Sequence, residues 1–99
     1  MEPKPLSFYT YILNCADGSL YTGWTRELAE RVQTHNSGTG AKYTRTRLPV
    51  ELAAYWEFDN KRDAMRMEYR IKQLPRKQKL QLVAEPSSGF SLIQQAAGN

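Results

Sequence analysis

Cysteine is almost missing from this sequence: Cys15 is the only one in 99 residues. A single thiol closes no disulfide within the chain, which excludes a disulfide-stapled secreted module and makes a cytoplasmic home the expectation. One Cys and one His also exclude a Cys/His zinc site built by one chain. No apolar run approaches the roughly 18 residues of a membrane span, so no membrane partner is expected. Residues 1–7 lack the charged-then-apolar pattern of a secretion signal. Internal repeats are absent too. What is present is an ordinary folding composition, 40% hydrophobic and 24% charged. Fourteen Lys and Arg stand against ten Asp and Glu. The resulting pI of about 9.4 is a footprint of nucleic-acid binding. The length suits one domain, taken as a monomer.

Residues 1–7 carry Pro3 and Pro5 and read as a lead-in. Phe8 to Leu13 is aromatic and β-branched, the composition of a strand. Asp17-Gly18 is a hairpin signal, because glycine adopts positive φ at little cost. Leu20 to Trp24 returns as the second strand. Thr25 suits an N-cap, and Glu27 and Glu30 suit the positive end of a helix over 26–36. Leu28, Val32 and His35 share one face of it, and Gly38 and Gly40 end it. Residues 41–49 read as an irregular loop, with Pro49 disfavouring helix at Leu48. Val50 to Phe58 is a third strand whose place in the sheet the sequence leaves open. Asp59 or Asn60 caps a helix over 61–74 with Ala64, Met67, Ile71 and Leu74 at helical spacing. Pro75 opens a further helix to about Val83. The fold class is therefore α/β: a small three-stranded sheet packed by helices, in the order β-β-α-β-α-α. The domain runs over 8–84, and 85–99 reads as a flexible tail.

Tyr11 and Tyr21 lie on the two arms of one hairpin, where strand alternation brings them to a shared face. Arg31 and His35 are neighbours on the first helix, four residues apart, at the edge of the apolar stripe. Glu68 sits close to the buried side of the 61–74 helix, where a carboxylate needs a partner, either a cation or a basic side chain. Singly, each has a plain structural reading. The tyrosines serve as core aromatics, Arg31 pairs with Glu27 or Glu30, His35 is a satisfied helix-end histidine, and Glu68 pairs with Lys72. Trp24, Trp56, Met65 and Met67 read as packing residues.

Together and in order, these residues resemble the GIY-YIG nuclease domain. The half-motifs are Tyr9-Thr10-Tyr11 and Tyr21-Thr22-Gly23, followed by Leu28, Arg31 and a late-helix Glu68. The stretches Cys-Ala-Asp-Gly-Ser-Leu-Tyr-Thr-Gly and His-Asn-Ser-Gly-Thr-Gly-Ala-Lys-Tyr-Thr are similar to the small bacterial, UPF0213-like branch, which is related to structure-specific nucleases. The similarity spans residues 8–84. It implies a hydrolase that cuts phosphodiester bonds, in DNA rather than RNA, within DNA repair or processing. The implied roles are Tyr11 as general base toward water, Tyr21 as its positioner, Arg31 stabilising charge on the phosphate with His35 assisting, and Glu68 holding one Mg²⁺ or Mn²⁺ ion. The pattern departs at Tyr9 and Thr10, which replace Gly and Ile. It departs again after Glu68, where Gln78 and Gln81 stand near the place of an Asn that many active members carry.

Basic residues supply a surface for nucleic acid. Lys42, Tyr43, Arg45 and Arg47 interleave charge with an aromatic, suited to phosphate contact and base stacking. Residues 61–79 hold eight basic against two acidic residues, a net +6, and Arg62, Arg66 and Arg70 line one face. With Gly23 these are the candidate nucleic-acid-binding residues. One domain leaves little room for a long sequence-reading module, so recognition of nucleic-acid shape is expected. The alternative function is a nucleic-acid-binding module with this fold and little or no cleavage.

Overall fold

In a computed structural model of the protein, the structure describes residues 7–93. The chain forms β1 (Phe8–Cys15), β2 (Leu20–Thr25), α1 (Leu28–Asn36), α2 (Lys42–Arg45), β3 (Val50–Phe58), α3 (Lys61–Lys72) and α4 (Arg76–Ala84), then a 3₁₀ turn at Pro86–Phe90. The sheet is wholly antiparallel in the order β2-β1-β3. β1 takes the centre because it is the strand with least need of water: Thr10, Tyr11, Ile12 and Leu13 are all buried.

Alternation divides the sheet into two faces. Ile12, Ala54, Trp56 and Phe58 form one, packed on Ala64, Met67 and Ile71 of α3, Leu82 of α4, and Ile93. Tyr11, Leu13, Cys15 and Val50 form the other, against Leu28 and Val32 of α1 and Leu48. Thr10, inside the first half-motif, ties the layers together by donating its hydroxyl to the Ala64 carbonyl at 2.7 Å.

The β1–β2 turn is the Asp-Gly turn expected, with Gly18 at φ +85°. Asp17 accepts from the Ser19 amide at 3.0 Å. α1 starts two residues later than expected. Thr25 ends β2, and its hydroxyl accepts from the Glu27 amide at 3.2 Å instead of capping a helix at Arg26. Asn60 is the α3 cap, accepting from the Asp63 amide at 2.8 Å.

Two expectations need correction. Residues 41–49 are not wholly irregular, because Lys42–Arg45 closes a helical turn that buries Thr44. The flexible tail does not begin at Glu85. Trp56 Nε1 is buried in the sheet and needs an acceptor, which the Pro86 carbonyl supplies at 2.6 Å. Gly89 packs against the same indole, Phe90 meets Phe58 edge-on at 5.7 Å, and Ile93 is 8% exposed. Residues 94–99 of that tail, and 1–6 of the lead-in, lie outside the described residues. Among the described residues no helix is long and apolar enough to cross a membrane.

Candidate active site

Strand register builds the centre of the site. Tyr11 pairs with Gly23 and Tyr21 with Leu13. The two tyrosines are thus diagonal neighbours on one face, with ring centroids 6.4 Å apart. The Tyr11 ring reaches across Gly23: a Cβ there would stand 2.6 Å from the phenol oxygen. His35 projects from the last turn of α1 onto this pair and is 1% exposed. Its Nε2 lies 3.0 Å from Tyr11 Oη and its Nδ1 lies 2.8 Å from Thr44 Oγ1. The imidazole also meets Tyr21 edge-on at 5.2 Å. Gly40 clears the space behind it, since a Cβ there would fall 2.5 Å from Nδ1.

Arg31 stands one turn before His35 and is exposed. Among the described residues it makes no ion pair, with Glu27 and Glu30 included. It lines an open groove of about 560 Å³ formed with Trp24, Thr25, Arg26, Glu27, Glu30 and Thr34. Glu68 is half-buried on α3 and pairs with Lys72 at 3.0 Å, the one-turn pairing that was its plain structural reading.

The charges act on one another through this small volume. Burial pushes the Tyr11 phenol well above its ordinary range; Tyr21 adds to the rise, Arg31 opposes it, and Glu68 adds to it. His35 is held below its ordinary value, first by burial and then by the Arg31 charge. At neutral pH the centre is therefore a neutral phenol against a neutral imidazole. Arg31 and Glu68 lie within electrostatic reach of the phenol, one of each sign.

Comparison with known proteins shows the family. Residues 7–81 match the family model described as the GIY-YIG catalytic domain. The chain belongs to the GIY-YIG catalytic-domain family. It is 57% identical over 79 residues to the UPF0213 protein CPE1444 of Clostridium perfringens, covering 80% of this chain and 85% of that protein. It is 58% identical over 77 residues to the UPF0213 protein YsiG of Lactococcus lactis, covering 77% and 74% of the two chains. The solution structure of the UPF0213 protein BH0048 from Bacillus halodurans superposes with a TM-score of 0.54 at 48% identity. That superposition covers 86% of this chain and 94% of the other. The E. faecalis protein EF2693 gives a TM-score of 0.56 at 45% identity, covering 85% and 88%.

Within this GIY-YIG domain the structure brings Tyr11, Tyr21 and His35 into contact, with Arg31 and Glu68 around them. His35 is 1% exposed and spends Nε2 on Tyr11 and Nδ1 on Thr44. Gly23 is buried as well, and the Tyr11 ring above it explains the glycine better than a nucleic-acid contact does. Tyr43 stacks on Tyr21 at 5.9 Å, and the Arg47 guanidinium lies 3.9 Å over its ring. Arg47 is committed further, to Asp17 at 3.0 Å and to the Tyr43 carbonyl at 2.8 Å. Base stacking on Tyr43 therefore competes with Arg47. Lys42 and Arg45 stay exposed.

The arginine stripe of α3 does not join the site. At about 100° per residue, Arg66 and Glu68 point to nearly opposite sides of the helix. Arg66 also bonds the Ile93 carbonyl at 3.2 Å and lies 3.5 Å from Asp63. The cations on the Glu68 flank are Lys61, which lies 5.4 Å over the Trp24 ring, and Lys72.

Any metal would rest on Glu68. Among the described residues no three His, Cys, Asp or Glu side chains converge. A single carboxylate fits Mg²⁺ or Mn²⁺, hard cations that fill the rest of their shell with water and phosphate oxygens. It does not fit a metal that needs a full protein cage.

Three residues had no site role in the sequence reading. Thr44 and Gly40 shape the surroundings of His35. Asn36 pins the start of β3, accepting from the Val50 amide at 2.7 Å and donating to its carbonyl at 3.0 Å. The available signal was position: all three flank His35 within nine residues, in the stretch where the resemblance is strong.

Proposed function

We propose that this protein is a cytoplasmic, metal-dependent endonuclease that hydrolyses phosphodiester bonds in DNA and recognises nucleic-acid structure rather than a long sequence. The observation that carries the reading is the buried Tyr11–His35 pair with Tyr21 against it, within electrostatic reach of Glu68 and of an Arg31 that makes no ion pair among the described residues. In this reading Tyr11 is the general base and takes a proton from the attacking water at Oη. Tyr21 packs the phenol in place and keeps bulk water from its side. Arg31 binds the phosphate, where a planar fork makes parallel hydrogen bonds to a charge-dispersed group. Neutralised by that phosphate, Arg31 no longer opposes a positive charge on His35. A Mg²⁺ or Mn²⁺ ion on Glu68 would supply Lewis acidity and positive charge beside the phenol.

Structure-dependent recognition is supported by the groove that leads away from Arg31. It is open, carries Trp24 and Arg26, and suits a single strand leaving the cut site. Lys42, Arg45 and Lys61 are the cations proposed to meet the backbone. DNA repair or processing is the setting such substrates imply. The test is a panel of labelled single-stranded, duplex and flapped DNA, with matched RNA, in Mg²⁺, Mn²⁺ or EDTA. Metal-dependent cutting placed by the junction is expected. Cutting fixed by one base sequence would overturn the structural recognition.

The Glu68–Lys72 pair favours a second reading, a nucleic-acid-binding module with little cleavage, because the carboxylate already has a cation. Salt-sensitive DNA binding without any cut would select it.

A further inference from the structure

Behind Tyr11 runs a buried chain of three hydrogen bonds. Tyr11 Oη meets His35 Nε2 at 3.0 Å, His35 Nδ1 meets Thr44 Oγ1 at 2.8 Å, and Thr44 Oγ1 meets the Ala41 carbonyl at 3.0 Å. Tyr11, His35 and Thr44 are each no more than 2% exposed, so water does not intervene. The direction of every proton in the chain follows from its end. A carbonyl only accepts, so the 3.0 Å bond to Ala41 takes the single Thr44 hydroxyl proton when it forms. Thr44 Oγ1 then presents only lone pairs to Nδ1, and Nδ1 must carry the imidazole proton. A neutral imidazole has one N–H, so Nε2 is bare and Tyr11 donates to it.

We propose that Thr44 is a positioning residue for Tyr11: it fixes His35 in the Nδ1–H tautomer and so turns the Tyr11 proton inward. The opposite tautomer would gain one contact, from the Ala41 amide to Nδ1 at 3.5 Å. It would remove the 3.0 Å hydroxyl donor from the Ala41 carbonyl and leave it the Arg45 amide alone, at 3.2 Å. The shorter bond decides. Burial and Arg31 disfavour the imidazolium, so the choice lies between the two neutral tautomers.

The consequence rests on the nuclease reading. With its own proton aimed at Nε2, Tyr11 Oη turns a lone pair toward the site. As the oxygen of water forms its bond to phosphorus, one water O–H breaks and its proton goes to Tyr11 Oη. The former Tyr11 proton passes to Nε2, and the leaving oxygen departs with the P–O electron pair and takes a proton from solvent. The neutral phenol thus serves as a base without first becoming phenolate, because an acceptor stands behind it. In the other tautomer Nε2–H would point at Tyr11 and no acceptor would exist.

His35 is the only histidine, so its imidazole ¹⁵N resonances are unambiguous in the intact protein. The expected result is an Nδ1–H signature in the native chain, lost or mixed in Thr44→Val and kept in Thr44→Ser. A native Nε2–H signature overturns the proposal, as does a Thr44→Val spectrum unchanged from native. Where Thr44→Val fails to fold, the native and Thr44→Ser spectra decide alone. On DNA, single-turnover cleavage by Thr44→Val should fall roughly 100-fold, the lower range for a general base, and recover in Thr44→Ser. Equal rates overturn the positioning role. A native protein that cuts nothing contradicts the nuclease reading and leaves the tautomer result standing, so the two failures are distinguishable.

Discussion

Gly23 lies under the tip of a ring that has no other place to go. Tyr11 is 2% exposed and is held by His35 and Tyr21. Gly23→Ala puts a methyl 2.6 Å from Oη and 2.8 Å from Cζ, and the ring must shift off Nε2. Overpacking of this kind costs about 1–3 kcal/mol. Urea denaturation should show that loss, and nuclease activity should fall with it. An unchanged midpoint would mean that the ring moves freely. His35 sets a pH dependence. Its folded-state value lies below the ordinary 6.5, so below that pH the unfolded chain binds the extra proton and the folded chain resists it. Stability from this group is present above pH 6.5 and is lost as the pH falls below it. Urea midpoints between pH 7.5 and 5.5 should drop more steeply for the native protein than for His35→Gln. Parallel curves would contradict the assignment. At this scale the sequence made legible the residues that the fold draws together, Tyr11, Tyr21 and His35, because they stand in order at family spacing. Thr44 was not legible, because a threonine between Tyr43 and Arg45 looks like a polar loop. Its burial comes from the hydrogen bond His35 requires, a tertiary fact.

Elements whose reasons are local were read well. β3 and the Asp-Gly turn matched, and Asn60 was one of two caps considered for α3. Asn60→Ala should cost about 1 kcal/mol in chemical denaturation, as a lost N-cap does. A cost near zero would place the cap elsewhere. The segment 86–93 was misread because its composition is that of a loop, and the residues that dock it are spaced and few. Its anchor is the Trp56 indole on the Pro86 carbonyl at 2.6 Å. Amide exchange over 86–93 should therefore be slow in the native protein and faster in Trp56→Phe, with about 0.5–1.5 kcal/mol lost. Equal exchange in the two would show that the indole bond does not hold the segment. The place of β3 beside β1, and the irregularity between Ile12 and Leu13, follow from packing across the sheet, which no local pattern encodes.

The whole molecule sorts its positive charge by neighbours. The net +6 of residues 61–79 looked like one phosphate track, but the fold divides it. Arg66 bonds Ile93 and lies near Asp63, Lys72 holds Glu68, and Arg76 donates to the Gly18 carbonyl at 2.9 Å. Each phosphate contact lowers the slope of log K against log salt by about 0.9 on duplex DNA and 0.7 on single strands. Substituting Lys42, Arg45 or Lys61 by Ala should each flatten the slope by nearly that amount, and Arg66→Ala should not. A slope that follows the arginine stripe would instead put the nucleic acid on the far side of α3, away from Tyr11. The most direct measurement of the central claim is single-turnover cleavage of flapped DNA in Mg²⁺ by the native protein, Arg31→Ala and Glu68→Ala, each shown folded and assayed with and without EDTA. The account predicts cutting by the native protein that is abolished by EDTA and lost in both variants. Cutting that survives in either folded variant, or no cutting by the native protein, would contradict it.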